Sequence, residues 1–158
     1  MGYRSDVRII VSKNGYKELK KYIDEHIKKY KINNIKEGSV ADSYDYDFNL
    51  LNHLDVSKAS ADGNQIYIGW NNLKWYDGYE DIDAIMDSLN KLEENGYGYR
   101  YSRIGESFDD IEELGADNTE KDGVKYLDYP YISRYFEDDE YRDIDLSKDK
   151  RKDERDER

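Results

Sequence analysis

Carboxylates dominate the reactive side chains of this 158-residue chain: thirty-seven Asp or Glu stand beside two His, and there is no Cys. The missing Cys removes thiolate zinc sites, cysteine nucleophiles and disulfide frameworks at once. His26 follows Glu25, and His53 lies in a stretch of little regularity; no H-E-x-x-H or other paired spacing joins them. Neither a G-x-S-x-G elbow nor a glycine-rich phosphate loop occurs. Three acidic clusters remain: Asp42/Asp45/Asp47, Asp77/Glu80/Asp81/Asp83 and Glu106/Asp109/Asp110/Glu112/Glu113. Hard oxygen donors of this kind suit Mg²⁺ or Ca²⁺, but no cluster has the EF-hand spacing with its central Gly and terminal Glu. Two carboxylates in a cleft would serve as acid and base. On an open face, the same groups draw in a basic surface, and that is the chemistry the spacing favours. No catalytic residue, metal ligand or cofactor is expected.

Charge distribution points the same way. The formal net charge is -12, and residues 37–147 alone carry -19, whereas residues 1–36 carry +6. An acidic body repels phosphate backbones at long range and attracts basic proteins. The expected partner is therefore a basic host protein, itself nucleic-acid-binding, with no direct contact to nucleic acid. Lys17, Lys20, Lys21, Lys28 and Lys29 read as a solvated helix face. No run of eighteen apolar residues occurs, and the apolar run within Met1 to Val11 is too short for a signal peptide. Gly2 alone does not make a myristoylation signal, because Asp6 stands where Ser or Thr is required. The expectation is a cytoplasmic protein without membrane contact.

The elements that must position these carboxylates are organised around Gln65 to Glu94. Ile66, Ile68 and Trp70 alternate with Gln65, Tyr67 and Gly69 at the period of a strand. Ile82, Ile85, Met86, Leu89 and Leu92 then recur at helical spacing. Asp77 with Glu80 three residues on reads as a capping pair that opens the helix, and Asn95-Gly96 closes it. Asp6 to Ser12 reads as a first strand. Ser12 or Asn14 can cap a helix from Gly15 to about Tyr30, with Tyr16, Leu19, Ile23, Ile27 and Tyr30 as its stripe. Residues 31–64 are an excursion that ends in a strand near Asp55 to Ser60 and a turn at Ala61-Asp62-Gly63-Asn64. Gly98 to Gly105 alternates again. Glu106 to Leu114 reads as an acidic loop or one helical turn, and Lys125 to Phe136 as an added strand at a sheet edge, because it contains Pro130.

The order strand, helix, strand, strand, helix, strand is the split βαβ of a ferredoxin-like α+β fold: an antiparallel sheet, two helices on one face, and here an added C-terminal edge strand. A single domain spans 1–146, and residues 147–158 form a charged tail, frayed or disordered. Glu137, Asp138 and Asp139 beside Pro130 protect the added edge, so a monomer or weak dimer is expected. The same order invites comparison with RNA-recognition modules, for which Tyr67, Tyr99 and Tyr101 would be the stacking rings. The strand Ile66 to Trp70 lacks the basic-Gly-aromatic signature of such modules.

Three segments carry a resemblance: Met1-Gly2-Tyr3-Arg4-Ser5-Asp6-Val7, Trp70-Asn71-Asn72-Leu73-Lys74-Trp75-Tyr76, and Arg103-Ile104-Gly105-Glu106 followed by Asp109-Asp110-Ile111-Glu112. Together they resemble uncharacterised small acidic proteins of phages and mobile elements in low-GC bacteria, over roughly residues 1–114. That group brings no catalytic residues with it. In size and charge the chain is similar to anti-CRISPR proteins, acidic inhibitors that mimic DNA and occlude nucleic-acid-binding grooves. The resemblance implies an anti-defence inhibitor acting through protein–protein interaction. The candidate partner-binding residues are Asp77, Glu80, Asp81, Glu106, Asp109, Asp110, Glu112 and Glu113 with Tyr76 and Tyr79. The alternative is a regulatory ferredoxin-like domain binding a small anionic ligand at the Trp70 to Tyr76 turn, through Lys74, Trp75, Tyr76 and Arg103.

Overall fold

A computed structural model of the chain describes residues 4–30, 47–107, 109–117, 127–132, 135–139 and 141–146. The residue 31–46 part of the expected excursion and the charged tail at 147–158 lie outside the described residues. Six strands, β1 (Ser5–Ser12), β2 (Val56–Ala59), β3 (Gln65–Leu73), β4 (Tyr99–Ile104), β5 (Ile111–Ala116) and β6 (Arg142–Asp143), form one sheet in the order β5-β4-β1-β3-β2-β6. Every neighbouring pair is antiparallel. Two helices, α1 (Lys13–Tyr30) and α2 (Glu80–Glu94), pack against each other. The protein is thus α+β.

Strand parity divides the sheet into two faces. Val7, Ile9 and Val11 stand opposite Trp70, Ile68 and Ile66, and Ile9 also stands opposite Tyr101. These residues are buried in one cluster with Leu19 and Ile23 of α1 and Ile82, Ile85, Leu89 and Leu92 of α2, so the helices cover this face. The helix termini follow local chemistry. Ser12 Oγ accepts from the Gly15 amide at 2.8 Å, capping α1. At the end of α2, the Gly96 amide donates to the Glu93 carbonyl and the Tyr97 amide to the Leu92 carbonyl; Gly96, at φ 90°, takes the left-handed conformation this stop requires. The expected Asp77/Glu80 cap does not form. Gly78 at φ 94° breaks helical geometry after Asp77, so α2 begins at Glu80, and it is the Asp83 carboxylate that accepts from the Gly78 amide at 3.1 Å. Before β2, a 3₁₀ turn at Leu50–His53 buries Leu50, whose carbonyl accepts the Trp70 indole Nε1–H at 2.9 Å.

The second face holds Arg8, Ile10, Tyr67, Gly69, Arg100 and Ser102, and it too is buried. Its cover is the C-terminal segment: Leu127 and Tyr141 join Ile10, Val56 and Tyr67 in a second cluster, with Tyr141 stacked on Tyr67 at 4.6 Å. Two arginines lie within this layer in matching settings. Each stands directly across from a glycine, Arg8 from Gly69 and Arg100 from Gly115. Without a Cβ there, the guanidinium stem lies flat over the neighbouring strand. Arg8 donates to the Val7 and Trp70 carbonyls and forks onto Asp138, with Phe136 4.8 Å from its guanidinium. Arg100 donates to the Tyr99 and Ala116 carbonyls, pairs with Asp117 and stacks on Tyr129 at 4.3 Å. Asp138 also receives the Tyr67 hydroxyl.

This layer and the strands beside it bear on one comparison the sequence already disfavoured and correct two expectations. Tyr67, Tyr99 and Tyr101 are buried, and Tyr67 faces away from the other two, so they make no exposed stacking platform. Glu106 to Leu114 is neither loop nor helical turn throughout. It turns through Gly105 to Asp110 and then runs as β5, recruited by pairing with β4 rather than by its own apolar pattern. The described part of Lys125 to Phe136 is no strand but a covering segment with one bridge, Ile132 to Phe136, and the C-terminal edge strand is the two-residue β6. Pro130 fits a cover that must not donate to a ladder.

Two stability measurements follow. A Cβ on Gly69 would sit 2.4 Å from the Val7 oxygen and 2.5 Å from Arg8 Cδ, whereas one on Gly78 meets nothing within 4 Å. Denaturant titration should show Gly69→Ala losing about 1–3 kcal/mol or more by overpacking, and Gly78→Ala only about 1–2 kcal/mol of left-handed strain. Asp138→Ala leaves the buried Arg8 without its carboxylate and should lose about 3–5 kcal/mol in the same assay. Asp138→Asn, which keeps an acceptor, should lose less.

Candidate protein-interaction surface

The topology gathers two of the three acidic clusters at one end of the sheet. β3 and β4 flank β1 and both run antiparallel to it, so both finish where β1 begins: Leu73 stands opposite Ser5 and Ile104 opposite Asp6. The loop from Leu73 then carries Asp77 and the first turn of α2, with Glu80, Asp81 and Asp83, while the β4–β5 hairpin carries Glu106, Asp109 and Asp110. Asp77, Glu80, Glu106, Asp109, Glu112 and Glu113 are exposed, and Asp110 is half-buried. Asp81 is different. It is fully buried, with its carboxylate accepting the Ile82 amide at 3.1 Å, and therefore offers no surface to a partner.

A small frame holds this end in place. Arg4 donates its amide to Glu106 Oε1 at 2.8 Å and a guanidinium N–H to the Asn72 carbonyl at 3.0 Å, while the Asn72 amide donates to Asp6 Oδ1 at 2.9 Å. Asn72 takes φ 58°, a left-handed conformation that Asn tolerates better than most residues and that bends β3 toward the loop. Between Arg4, Asp6, Glu106, Asp109, Ile111 and Tyr135 runs a groove with acidic rims and apolar walls.

Arg103 holds the hairpin to the sheet. Its guanidinium forks onto Asp110 at 2.8 and 3.2 Å, reaches Glu112 at 3.5 Å and donates to Ser5 Oγ at 3.1 Å. Arg103 does not pair with Glu106: Glu112 stands directly across from Arg103, and Glu106 accepts the Arg4 amide. Trp75 is buried against Trp70 at 5.3 Å and Tyr101 at 6.4 Å, as part of the core. Tyr76 and Tyr79, both half-buried, meet edge to face at 5.1 Å, and Lys74 is half-buried. The Trp70 to Tyr76 turn is thus built around a packed indole and an arginine already held by two carboxylates.

Sequence reasoning overlooked β5. All of Ile111 to Gly115 is exposed, and Ile111 and Leu114 each retain 43% of their surface. The available signal was Ile111-Glu112-Glu113-Leu114 followed by a Gly, across from a recognised strand. Its apolar spacing is helical, and that misled the reading. Among the described residues, no helix is long and apolar enough to cross a membrane.

Burial governs the titration of several tyrosines. Desolvation raises the Tyr101 hydroxyl well above its ordinary value, with the Glu112 carboxylate adding to the effect; desolvation and the Asp138 carboxylate do the same to Tyr67. Tyr22 and Tyr99 are raised by burial as well. Each holds its proton more tightly folded than unfolded, so stability is complete below about pH 10 and falls as pH rises beyond it. Urea unfolding between pH 9 and 11 should show that decline. Tyr101→Phe should flatten it by up to about 1.4 kcal/mol per pH unit.

No protein-family model, no curated protein and no solved structure matches this chain.

Proposed function

We propose that this chain is a non-enzymatic, acidic inhibitor of phage or mobile-element origin, of the anti-CRISPR or anti-defence type. It docks its acidic end on the basic nucleic-acid-binding surface of a host protein. We further infer that its core is ferredoxin-like: the inner order β4-β1-β3-β2, antiparallel throughout, supports a split βαβ with β5 and β6 added at the two edges. The observation that carries the functional reading is the convergence of the β4–β5 hairpin and the α2 N-terminus at one end of the sheet. The hairpin brings Glu106 and Asp109 to that end, and the segment leading into α2 brings Asp77 and Glu80 with the half-buried rings of Tyr76 and Tyr79. Carboxylates there stand in for phosphates, and tyrosine rings supply contact area at low entropic cost. Arg103, at the base of the hairpin, is already paired with Asp110 and Glu112.

The test is displacement of nucleic acid. The chain should capture basic proteins from host lysate in a salt-sensitive manner and release labelled DNA or RNA from them. Asp109→Lys with Glu113→Lys is the informative variant, because no side-chain bond among the described residues holds either carboxylate, whereas Glu112 anchors Tyr101 and Arg103. Its melting temperature should stay within the range of exposed substitutions, about 0.5 kcal/mol each, while capture falls at least tenfold. Capture of non-basic proteins, or equal release by the variant, would overturn the reading.

A further inference from the structure

We propose that β5 takes up a basic, extended segment of the partner by strand addition. This rests on the reading of the acidic end as a docking surface and specifies how the docking occurs. β5 pairs with β4 on one side, and among the described residues no strand lies on the other. The Gly105 amide donates to the Asp110 carbonyl at 2.7 Å, and the β4–β5 register runs on from that pair without a shift. Antiparallel alternation then turns the N–H and C=O groups of Glu113 and Gly115 and the C=O of Ile111 outward, while the Ile111 amide donates to the Asp109 carbonyl at 3.1 Å. A row of backbone donors and acceptors on an exposed edge is a template for another strand.

Charge decides which strand. Glu112 and Glu113 stand side by side in β5, preceded by Asp109 and Asp110 and followed by Asp117. A second copy pairing antiparallel along this edge would set these carboxylates against one another, and like charges directly opposite destabilise a pair. An extended segment with two adjacent Lys or Arg between apolar residues meets no such penalty. Ile111 and Glu113 share one face of β5 and Glu112 and Leu114 the other, so the two cations stand opposite the carboxylates and the flanking apolar side chains opposite Ile111 and Leu114, each 43% exposed. Self-pairing is disfavoured by the same residues that favour a basic guest.

Amide hydrogen exchange, followed by NMR on the full chain with a short extended peptide carrying Val-Lys-Lys-Val at millimolar concentration, tests this directly. Binding should protect the amides of Glu113 and Gly115. Glu113→Pro removes one outward N–H at a position where an edge strand tolerates proline, and should weaken binding at least tenfold. Glu113→Gln keeps the N–H and should bind only a few-fold more weakly, with the same protection. Should Glu113→Pro fail to fold, the protection pattern of the wild type decides alone. No binding, binding that leaves these amides unprotected, or equal binding by the Pro and Gln variants would overturn the inference. So would protection that grows with protein concentration in the absence of peptide, which would assign the edge to a second copy. Retained capture of basic proteins by Glu113→Pro would overturn strand addition while leaving the acidic-inhibitor reading standing; loss of capture by Asp109→Lys/Glu113→Lys alone would not establish it.

Discussion

The buried pairing of Arg8 with Asp138 sets the terms for the rest of the molecule. Arg8 lies on a central strand, on the sheet face that the helices do not cover, and a guanidinium cannot be taken out of water there without a carboxylate and further acceptors. Its own strand and its neighbour supply two carbonyls, and the carboxylate comes from 130 residues further along the chain. The C-terminal segment must therefore return across the sheet. Once it does, Phe136 lies over the guanidinium, Tyr141 lies over Tyr67, and Leu127 closes the layer. Arg100 repeats the device next to β5, with Gly115, Asp117 and Tyr129 in the places of Gly69, Asp138 and Phe136. A chain with few aliphatic residues thus builds a second layer from tyrosines and paired charges.

That layer also determines which edges of the sheet stay open. β6 joins β2 because the covering segment ends beside Ser57, whose hydroxyl donates to the Ile144 carbonyl at 2.7 Å. At the far edge, Arg100 and Arg103 fasten β5 to β4 from opposite faces, the one through Asp117 and the other through Glu112 and Asp110. β5 is held firmly along one side while its side chains remain in solvent. A charged edge fastened along one side, with no strand on the other among the described residues, is suited to recognition, because little conformational entropy is lost when a partner strand is added.

Much of the first layer was legible in the residues. Alternation in β3 and the helical stripe of α2 identified Ile66, Ile68, Trp70, Ile82, Ile85 and Leu89, all of which meet in one core with Val7 and Ile9 of β1. Ser12 and Asn95-Gly96 marked helix ends because capping is a local hydrogen-bonding matter, settled within a few residues. The same locality failed at Asp77, where the left-handed Gly78 intervenes. It failed again at β5, where Ile111 and Leu114 sit at helical spacing on a strand whose two faces are both wet. A strand with no buried face carries no period-2 signal.

By itself, the sequence determined the α+β class, the order of the first four strands and two helices, and the acidic, cysteine-free character that directs attention to surface carboxylates. These follow from composition and short-range periodicity, both carried by neighbouring residues. Only the tertiary structure decided that Asp81 is buried while Asp77 and Glu80 are not, and that Arg103 belongs to Asp110 and Glu112 rather than to Glu106. It also decided that the residues after Leu127 cover a sheet face instead of extending it. The physical reason is the same in each case. Which carboxylate meets which guanidinium depends on strand register and on the return of a distant segment, and neither is encoded within the span over which a sequence pattern repeats.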